Sequence, residues 1–204
     1  MKRVAITGNI GSGKTWVSQR FAERFGIPVF DSDRETKLLY GRPDVVEAMQ
    51  ARFGEGLYAP DGTLYNARLA QLLFDDPEAL RFVEQLLYPL LFDRFEAWAD
   101  DYAATKPYVL FESAIVLEKH LESRFDAVVM VTASEATRLR RVMLRNRCSE
   151  AVVRQRMALQ WPDERKCALA DFVITHEADD EDAALLRQIR RVHRSLCRAQ
   201  HSIK

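Results

Sequence analysis

A glycine-rich stretch near the start of the chain constrains the fold more than any other feature. Residues 8–15 read GNIGSGKT and meet the pattern GxxxxGK[ST] at every required position. The apolar run at residues 3–7 precedes this loop, and Val17, Phe21 and Phe25 recur at a four-residue spacing after it. The pattern therefore predicts a buried strand, a glycine loop and an amphipathic helix in that order, which favours a parallel α/β fold.

The chemistry of this loop follows from its residue types. Glycines allow a tight turn that aims backbone N–H groups inward, so the loop and the next helix N-terminus can hold the oxygens of a polyphosphate. Lys14 adds a mobile positive charge for the β- and γ-phosphates, and Thr15 offers a hydroxyl to Mg²⁺. The GxGxxG pattern of dinucleotide-binding folds is absent, as is the NKxD pattern of guanine-specific proteins. The loop therefore predicts a site for ATP with Mg²⁺.

Two carboxylates follow the second predicted strand. Residues 28–30 form the strand candidate, and Asp31 and Asp33 come after it, at the edge where parallel sheets bind ligands. A phosphoryl acceptor needs a carboxylate that orients its hydroxyl and accepts the proton, and Mg²⁺ needs oxygen ligands. Asp33 is the candidate base and Asp31 the candidate metal-side partner. The alternative is structural, because an aspartate before Arg34 would also suit a helix N-cap.

A third acid, Glu112, lies near the end of the strand candidate at residues 107–113. Its carboxylate could face the phosphate site and act on Mg²⁺ through bound water. It could equally be a solvent-exposed polar residue at a strand end. Both interpretations stay open on the sequence alone.

Arginines crowd the stretch at residues 138–147. Arg141 and Arg145 lie four residues apart and so share one face of a helix. A helix that tolerates like charges usually has an anionic partner, and guanidinium groups on a closing segment can hold phosphates and exclude water. Arg141 is therefore a candidate catalytic residue and Arg145 a candidate nucleotide-binding residue. The alternative is a solvated basic face, which would suffice for Arg138 and Arg147.

The remaining chain has the organisation of a parallel α/β protein with helical additions. The strand candidates at residues 126–133 and 171–175 are apolar without alternation, as expected when helices cover both faces of a sheet. Asp76 before Pro77 marks a helix start within a stretch that reads as helical throughout. We predict a doubly wound, three-layer α/β/α fold of the P-loop NTPase type, with a core at residues 1–33, 106–133 and 162–204, a helical substrate-binding insertion at 34–105 and a helical lid at 134–161.

Three further helices are predicted outside the insertion. Residues 134–147 and 149–161 each begin with a serine that suits an N-cap, and together they make the lid. Residues 181–198 are predicted to form a closing helix.

Composition narrows the classes of function. Thirty basic and thirty acidic side chains give a net charge of zero, so no global charge favours nucleic acid or an anionic membrane surface. The three cysteines and four histidines fit no zinc-binding spacing, which predicts reduced thiols. The first apolar run is too short for a signal peptide or a membrane span. These features predict a cytoplasmic protein that binds neither nucleic acid nor membrane. We expect it to be a monomer or a weak homo-oligomer.

Taken in order, these segments resemble the dephospho-CoA kinase family over essentially the whole chain. The segments with family counterparts are GNIGSGKT at 8–15, VFDSD at 29–33, FG at 53–54, DGTL at 61–64, LLYP at 86–89, Arg141 with Arg145, Arg156 to Gln160, and ADFVI at 170–174. The glycine loop alone is shared by many families, whereas the ordered set is much more specific.

The resemblance implies transfer of the γ-phosphoryl group of ATP to the 3′-hydroxyl of the ribose of dephospho-CoA, the last step of coenzyme A synthesis. It also implies a helical coenzyme-binding domain and a mobile lid. With Asp33 as the family's base, the catalytic set is Asp33, Lys14 and Arg141, and the metal-side set is Thr15 and Asp31. The nucleotide-binding set is Gly8, Gly11, Ser12, Gly13, Lys14, Thr15, Trp16 and Arg145.

The sequence departs from the family pattern at three places. Asn9 stands where the family usually has glycine, which we expect to be tolerated if its φ is negative or left-handed. Tyr88 replaces a histidine, and Ala114-Ile115-Val116 replaces proline-leucine-leucine after the central strand. Glu118 follows at the expected place. The departures at Tyr88 and at Ala114 concern acceptor contacts and leave the phosphate machinery intact.

Two other functions fit the same residues. A related nucleoside or nucleotide kinase would keep Lys14, Thr15 and Asp33 but would use residues 34–105 for a different acceptor. A nucleotide-dependent switch would bind ATP without transferring phosphate. The paired acids Asp31 and Asp33 and the arginine-rich lid favour an enzyme over the switch.

Overall fold

A five-stranded parallel sheet forms the centre of the computed structural model, which describes residues 1–177 and 183–198. The strand order is β2-β3-β1-β4-β5. The bounds are β1 Lys2–Thr7, β2 Val29–Asp31, β3 Tyr108–Glu112, β4 Ala127–Thr132 and β5 Phe172–Thr175. Ile6 of β1 pairs with Glu112 of β3, and Thr7 pairs with Met130 of β4. The polar ends of these strands therefore meet at one edge of the sheet.

Helices make up most of the rest of the described chain. In chain order they are α1 Lys14–Phe25, α2 Ser32–Leu39, α3 Pro43–Phe53, α4 Asn66–Asp75, α5 Pro77–Asp100, α6 Glu135–Asn146, α7 Glu150–Ala158, α8 Asp163–Leu169 and α9 Ala183–Arg198. Short 3₁₀ turns occur at Glu55–Leu57 and Glu122–Arg124. No helix within residues 1–177 and 183–198 has both the length and the apolar character that a membrane crossing requires.

The chain divides into two compact units. The first, here called the core unit, joins Met1–Phe30 to the chain from Asp101 onward and holds the sheet. The second, here called the helical unit, is Asp31–Asp100 and contains α2 to α5. In the helical unit, α2, α3 and α4 all pack on α5. Because the long helix α5 has a partner along most of its length, it can serve as the scaffold of that unit.

The hydrophobic core of the first unit explains the apolar strand patterns. Val4, Ala5 and Ile6 are consecutive and all fully buried, because helices cover both faces of the sheet. Val17 and Phe21 of α1 are also fully buried, on the helix face that their four-residue spacing predicts. The other main contributors come from α9, where Leu185, Ile189, Val192 and Leu196 pack on the same cluster.

Most predicted elements are confirmed, with small differences at their ends. Ser134 caps α6 through its hydroxyl, and Pro77 begins α5 as predicted. The second lid helix ends at Ala158 instead of residue 161, since the chain then turns toward the glycine loop. Helix α8 was not predicted; it begins directly after Pro162, which fixes a helix-compatible φ. Residues 181–182 of the predicted closing helix lie outside the described residues.

Candidate active site

The glycine loop has the tight backbone that its sequence predicts. Gly11 and Gly13 have φ values of 80° and 85°, in the left-handed region that disfavours other residues. A Cβ on Gly11 would lie 2.5 Å from the carbonyl oxygen of Arg138, and one on Gly13 would lie 2.1 Å from Nδ1 of His176. Neither position can hold a side chain without displacing helix α6 or the segment after β5. The loop therefore packs closely against helix α6 and the segment that follows β5.

Three side chains meet at the end of this loop. The Lys14 ammonium lies 2.6 Å from Oε1 of Glu112 and donates a hydrogen bond to it. The Thr15 hydroxyl donates to the same oxygen at 2.5 Å. The Glu112 residue is only 6% exposed, so its charge is compensated by protein neighbours, with Lys14 and Thr15 among them. The interpretation of Glu112 as a solvent-exposed strand end is therefore wrong.

Two opposing effects act on Glu112. Burial by itself raises the pKa of the carboxyl, because it disfavours the charged form. The Lys14 charge and hydrogen bonds from Lys14, Thr15 and Ser18 act the other way and hold the pKa of Glu112 below its ordinary value. The carboxylate is therefore ionised at neutral pH.

The other predicted loop residues line or support this site. A Cβ on Gly8 would lie 2.4 Å from the carbonyl oxygen of Val131, so the loop begins in close contact with β4. Ser12 is almost fully buried. The Trp16 ring lies 4.8 Å from the ring of His176, and the Arg20 guanidinium lies 4.4 Å from the Trp16 centroid. Trp16 therefore stands beside the loop as part of an aromatic group with His176.

Arg141 and Arg145, which both lie on α6, have different hydrogen-bond partners. Nη1 of Arg141 lies 3.4 Å from the carbonyl oxygens of Gly11 and Ser12 and donates to that of His176 at 2.9 Å. Arg145 is exposed, and its Nε donates to the side chain of Asn146 at 3.1 Å. The structure thus brings Arg141, but not Arg145, to the glycine loop.

Asp31 and Asp33 lie at the start of α2 in the helical unit. Asp31 occupies the N-cap, where Oδ1 accepts a hydrogen bond from the Arg34 backbone N–H at 3.0 Å. The interpretation of Asp33 as the N-cap is therefore wrong. Asp33 is the second residue of the helix, within its first turn, and is exposed. Its carboxylate is available for a ligand, whereas that of Asp31 has one oxygen committed to the cap.

Asn9 ties the glycine loop to the segment that follows helix α7. Its buried side chain donates from Nδ2 to the Trp161 carbonyl oxygen at 2.8 Å and to Asp163 at 2.5 Å. The next residue, Ile10, donates its backbone N–H to Gln160 at 2.8 Å. Among the described residues other than glycine, positive φ occurs only at His120 and Arg147, so the expectation that Asn9 is tolerated is confirmed. We call residues 160–163 the loop clamp.

The segment after β3, where the sequence departs from the family pattern, is held by a buried lysine. Lys166 of α8 is fully buried, donates to the Ala114 carbonyl oxygen at 3.0 Å and contacts Glu118. Burial lowers the pKa of Lys166, and the hydrogen bond and charge of Glu118 oppose that effect. Through this hydrogen bond and ion pair, Lys166 anchors the segment from Ala114 to Glu118 to α8.

Tyr88, the other departure, lies in the middle of α5. Burial is the main cause that raises the pKa of its hydroxyl, with a further contribution from the charge of Glu84 one turn earlier. Tyr88 is therefore neutral and cannot supply the positive charge that a protonated histidine would have at this place.

The oxygens at the end of the loop suit Mg²⁺. Thr15 and Glu112 place a hydroxyl and an ionised carboxylate together, and Mg²⁺ prefers such hard oxygen donors. No group of three or more histidine, cysteine, aspartate or glutamate side chains that could hold a metal occurs in the described part of the chain. Thr15 and Glu112 are therefore the residues that would hold a Mg²⁺ ion or its bound water at this site.

A cavity of about 730 Å³ opens beside the loop within the core unit. Its walls come from the start of α6, the end of α7 and the loop clamp, and they include Asn9, Arg138, Arg154 and Glu177. The volume lies in the usual range of small-molecule pockets. Both charges occur on the walls, so the cavity is polar without a net preference for anions.

The contacts that some residues make at the site had no local signal in the sequence. His176, Gln160 and Asp163 are 163, 150 and 154 positions from the loop residues that they contact, Gly13, Ile10 and Asn9. No local periodicity reports contacts at such separations. The one available signal for His176 was its place directly after β5, at the same sheet edge as Glu112.

Comparisons with known proteins agree on one family. A sequence model of the family described as dephospho-CoA kinase matches residues 2–182. A protein of that name from Shigella flexneri is 34% identical over 192 residues, which is 93% of this chain and 90% of the relative.

Solved structures agree on the fold. A crystal structure from Thermus thermophilus aligns with a TM-score of 0.80 at 29% identity, over 99% of this chain and 98% of its own. A dephospho-CoA kinase structure from Campylobacter jejuni shares the fold, with a TM-score of 0.68 at 16% identity over 97% and 98% of the two chains. With the family match spanning most of the sequence, the chain belongs to the dephospho-CoA kinase family, and it is a kinase.

Proposed function

We propose that this enzyme transfers the γ-phosphoryl group of ATP to the 3′-hydroxyl of the ribose of dephospho-CoA, giving coenzyme A and ADP. The observation that carries the proposal is the contact of Lys14, Thr15 and Glu112 at the end of a glycine loop. Family membership supplies the acceptor. We further propose that the enzyme works in the cytoplasm, as a monomer or a weak homo-oligomer.

The core unit supplies the phosphate-binding chemistry. Lys14 is free to exchange Glu112 for the β- and γ-phosphates, because its flexible stem allows the ammonium to move between partners. Thr15 and Glu112 are the proposed protein oxygens for Mg²⁺ or its bound water, with Asp31 as a further metal-side carboxylate. When bound, Mg²⁺ offsets negative charge that develops on the phosphate oxygens during transfer.

The helical unit supplies the proposed base. Asp33 accepts the proton of the acceptor 3′-hydroxyl while the bond from that oxygen to the γ-phosphorus forms. The bond between the γ-phosphorus and the oxygen that bridges it to the β-phosphate breaks, and ADP leaves with that electron pair. The exposed carboxylate of Asp33, which is not used as a cap, supports this role.

Arg141 is the proposed lid residue that neutralises phosphate charge. It already contacts the carbonyl oxygens of Gly11 and Ser12, so a small change in its side chain would bring the guanidinium to a bound phosphate. Arg145 is proposed to reach the nucleotide only when the lid closes, which agrees with its exposed position on α6.

The test is a mass-spectrometric assay of the purified protein with Mg²⁺, ATP and dephospho-CoA, scored for coenzyme A and ADP. We expect both products in equal amounts, and no ADP above background without an acceptor. A panel of nucleosides and nucleotides tests for a different acceptor. ATP binding without transfer to any acceptor would reject the proposal and favour the switch.

A further inference from the structure

The helical unit is strongly acidic, although the whole chain is neutral. Residues 31–100 carry seven basic and fourteen acidic side chains, a net charge of −7. The proposed acceptor is itself an anion, because a diphosphate joins its nucleoside to its pantetheine arm. A unit with this charge repels such a ligand unless a local cation offsets the repulsion. One basic side chain of the unit is placed to do so.

Six of the seven basic residues already have partners. The arginines form ion pairs with acids, donate to a carbonyl oxygen or lie over a ring; they are Arg34 and Arg94 with Glu35, Arg42 with Asp44, Arg81 with Glu78, Arg68 with Gly56, and Arg52 with Phe53. Lys37 has no ion pair, hydrogen bond or ring contact within this unit, all of whose residues the structure describes. It is therefore the cation available to a ligand.

Lys37 lines a cavity of about 250 Å³ that lies wholly within the helical unit. Its other walls are Tyr40, Gly41, Gly62, Thr63, Leu64 and Asn66. The turn that forms one wall is tightly hydrogen-bonded, because Ala59 donates to the Thr63 carbonyl oxygen at 2.8 Å and Thr63 donates to Asp61 at 2.9 Å. The cavity is thus preformed, and Asp61, which does not line it, has its carboxylate engaged by Thr63.

The position of Lys37 along α2 matches the shape of the acceptor. Asp33 and Lys37 are four residues apart, so they share one face of the helix and are separated by a rise of about 6 Å. A single ribose spans a similar distance between its 3′-hydroxyl and the phosphorus bonded to its 5′-oxygen. A nucleotide with its hydroxyl at Asp33 can therefore place its 5′-phosphate at Lys37.

We propose that Lys37 and its cavity bind the diphosphate of the acceptor and so set its 3′-hydroxyl at Asp33. This inference rests on the proposed function, since it names where that acceptor is held. The Lys37 ammonium supplies the charge, and the amide of Asn66, which also lines the cavity, supplies a neutral donor. Selection of an acceptor with a 5′-phosphate over a plain nucleoside follows from this pair.

The experiment compares Lys37→Gln and Lys37→Arg with Arg81→Gln as the matched control. Arg81 is a surface residue of the same unit, so its loss changes the net charge equally without touching the cavity. We expect Lys37→Gln to raise the KM for dephospho-CoA about tenfold, with the KM for ATP and the kcat within about twofold of wild type. Lys37→Arg should restore most of the loss, and Arg81→Gln should behave as wild type.

Adenosine, which lacks phosphate, distinguishes a diphosphate contact from a general effect. Its inhibition constant against dephospho-CoA should be the same in Lys37→Gln and wild type. An unchanged KM for dephospho-CoA in Lys37→Gln, or an equal weakening of adenosine, would overturn the proposal. Lys37→Met, which keeps the aliphatic stem, serves if the glutamine variant folds poorly. Failure of wild type to make coenzyme A would instead reject the proposed function.

Discussion

At the scale of single residues, the site is organised by charge compensation at Glu112. A carboxylate that is 6% exposed is costly unless cations or donors surround it, and Lys14 and Thr15 both do. The loop lysine is thereby held at the site before any nucleotide binds. The Lys14 ammonium is thus positioned at the site by Glu112, and a phosphate ligand replaces Glu112 as its partner.

Replacing the proposed base is the most direct test at this scale. We expect Asp33→Asn to reduce kcat by about 100-fold or more, because general-base catalysis contributes about 10² to 10⁴ in rate. The KM for ATP should stay within about twofold, since Asp33 acts on the acceptor. Steady-state kinetics with dephospho-CoA and ATP measure both. Turnover comparable to wild type would reject Asp33 as the base.

The sequence located some of these residues but not their contacts. The local pattern of the glycine loop identifies Lys14 and Thr15. Glu112 lies 98 positions from Lys14, and its sequence context fits a residue of the phosphate site and a solvent-exposed strand end equally well. Only the sheet register, which pairs Glu112 with Ile6, brings the carboxylate to the loop. The order of the strands in the sheet decides which acid faces the loop, and the sequence of a single strand does not reveal that order.

At the scale of elements, the loop clamp at residues 160–163 connects the lid to the glycine loop. Asp163 begins α8, accepts from Asn9 and Thr132, and forms an ion pair with Arg138 at 3.3 Å. Lys166 joins the same helix to Ala114. This short helix therefore fixes the glycine loop, the lid and the chain after β3 relative to one another within the core unit.

Asn9→Ala tests how much the clamp contributes to stability. The substitution removes two hydrogen bonds from a buried amide and leaves the Asp163 and Trp161 oxygens with fewer donors. We expect the free energy of unfolding to fall by about 1–3 kcal/mol, as measured by urea denaturation. Asn146→Ala, a change of the same type at an exposed helix end, is the control and should have little effect. Equal losses in both variants would contradict a specific role of the clamp.

The contact of α9 with the sheet makes stability depend on pH. The Tyr108 hydroxyl lies 2.8 Å from Nδ1 of His193, and Phe25 stacks on the same ring at 3.9 Å. Burial, and secondarily the charge of Arg194, lower the pKa of His193 from its ordinary value of 6.5. The unfolded chain therefore binds this proton more readily than the folded one, and stability decreases as pH falls below 6.5 until the folded pKa is reached.

His193→Gln removes that titration while keeping a polar partner for Tyr108. We expect the variant to show a flatter dependence of the free energy of unfolding on pH below 6.5 than wild type. Urea titrations at a series of pH values measure it. An unchanged slope in His193→Gln would show that other groups control this range.

Elements were easier to predict than their partners. Ser134 and Pro77 marked helix starts because caps and prolines act within one turn. Helix α8 was missed because its seven residues are too few for a periodic pattern to stand out from the surrounding chain. The clamp was missed with it, since its contacts depend on where α8 lies.

At the scale of the whole molecule, the division into two units has a measurable consequence. Nucleotide binding at the glycine loop stabilises the folded state by about 2.7 kcal/mol when the free ligand is at 100 times its Kd. For a chain of this size the shift amounts to about 5–10 °C in Tm. We expect Mg-ATP to produce such a shift in calorimetry. If the units unfold separately, only the transition of the core unit should move.

Lys14→Ala is the variant that tests the origin of the shift. Loss of the ammonium removes the charge that faces the phosphates, so most of the ATP-dependent rise in Tm should disappear. Lys106→Ala, which removes a lysine of the same unit away from the loop, should keep the full rise. A full shift in Lys14→Ala would undermine the assignment of the glycine loop as the nucleotide site.

The Glu112 carboxylate also sets a threshold for what can occupy the loop. Any anion that enters must displace or share the partner that Lys14 already has. Inorganic phosphate, which is abundant in cells, offers one compact charge and gains little by that exchange. A nucleoside triphosphate contacts Lys14 and at the same time the loop backbone and the Thr15 side chain. Competition from the Glu112 carboxylate therefore disfavours small anions and favours ligands that contact the loop at several points at once.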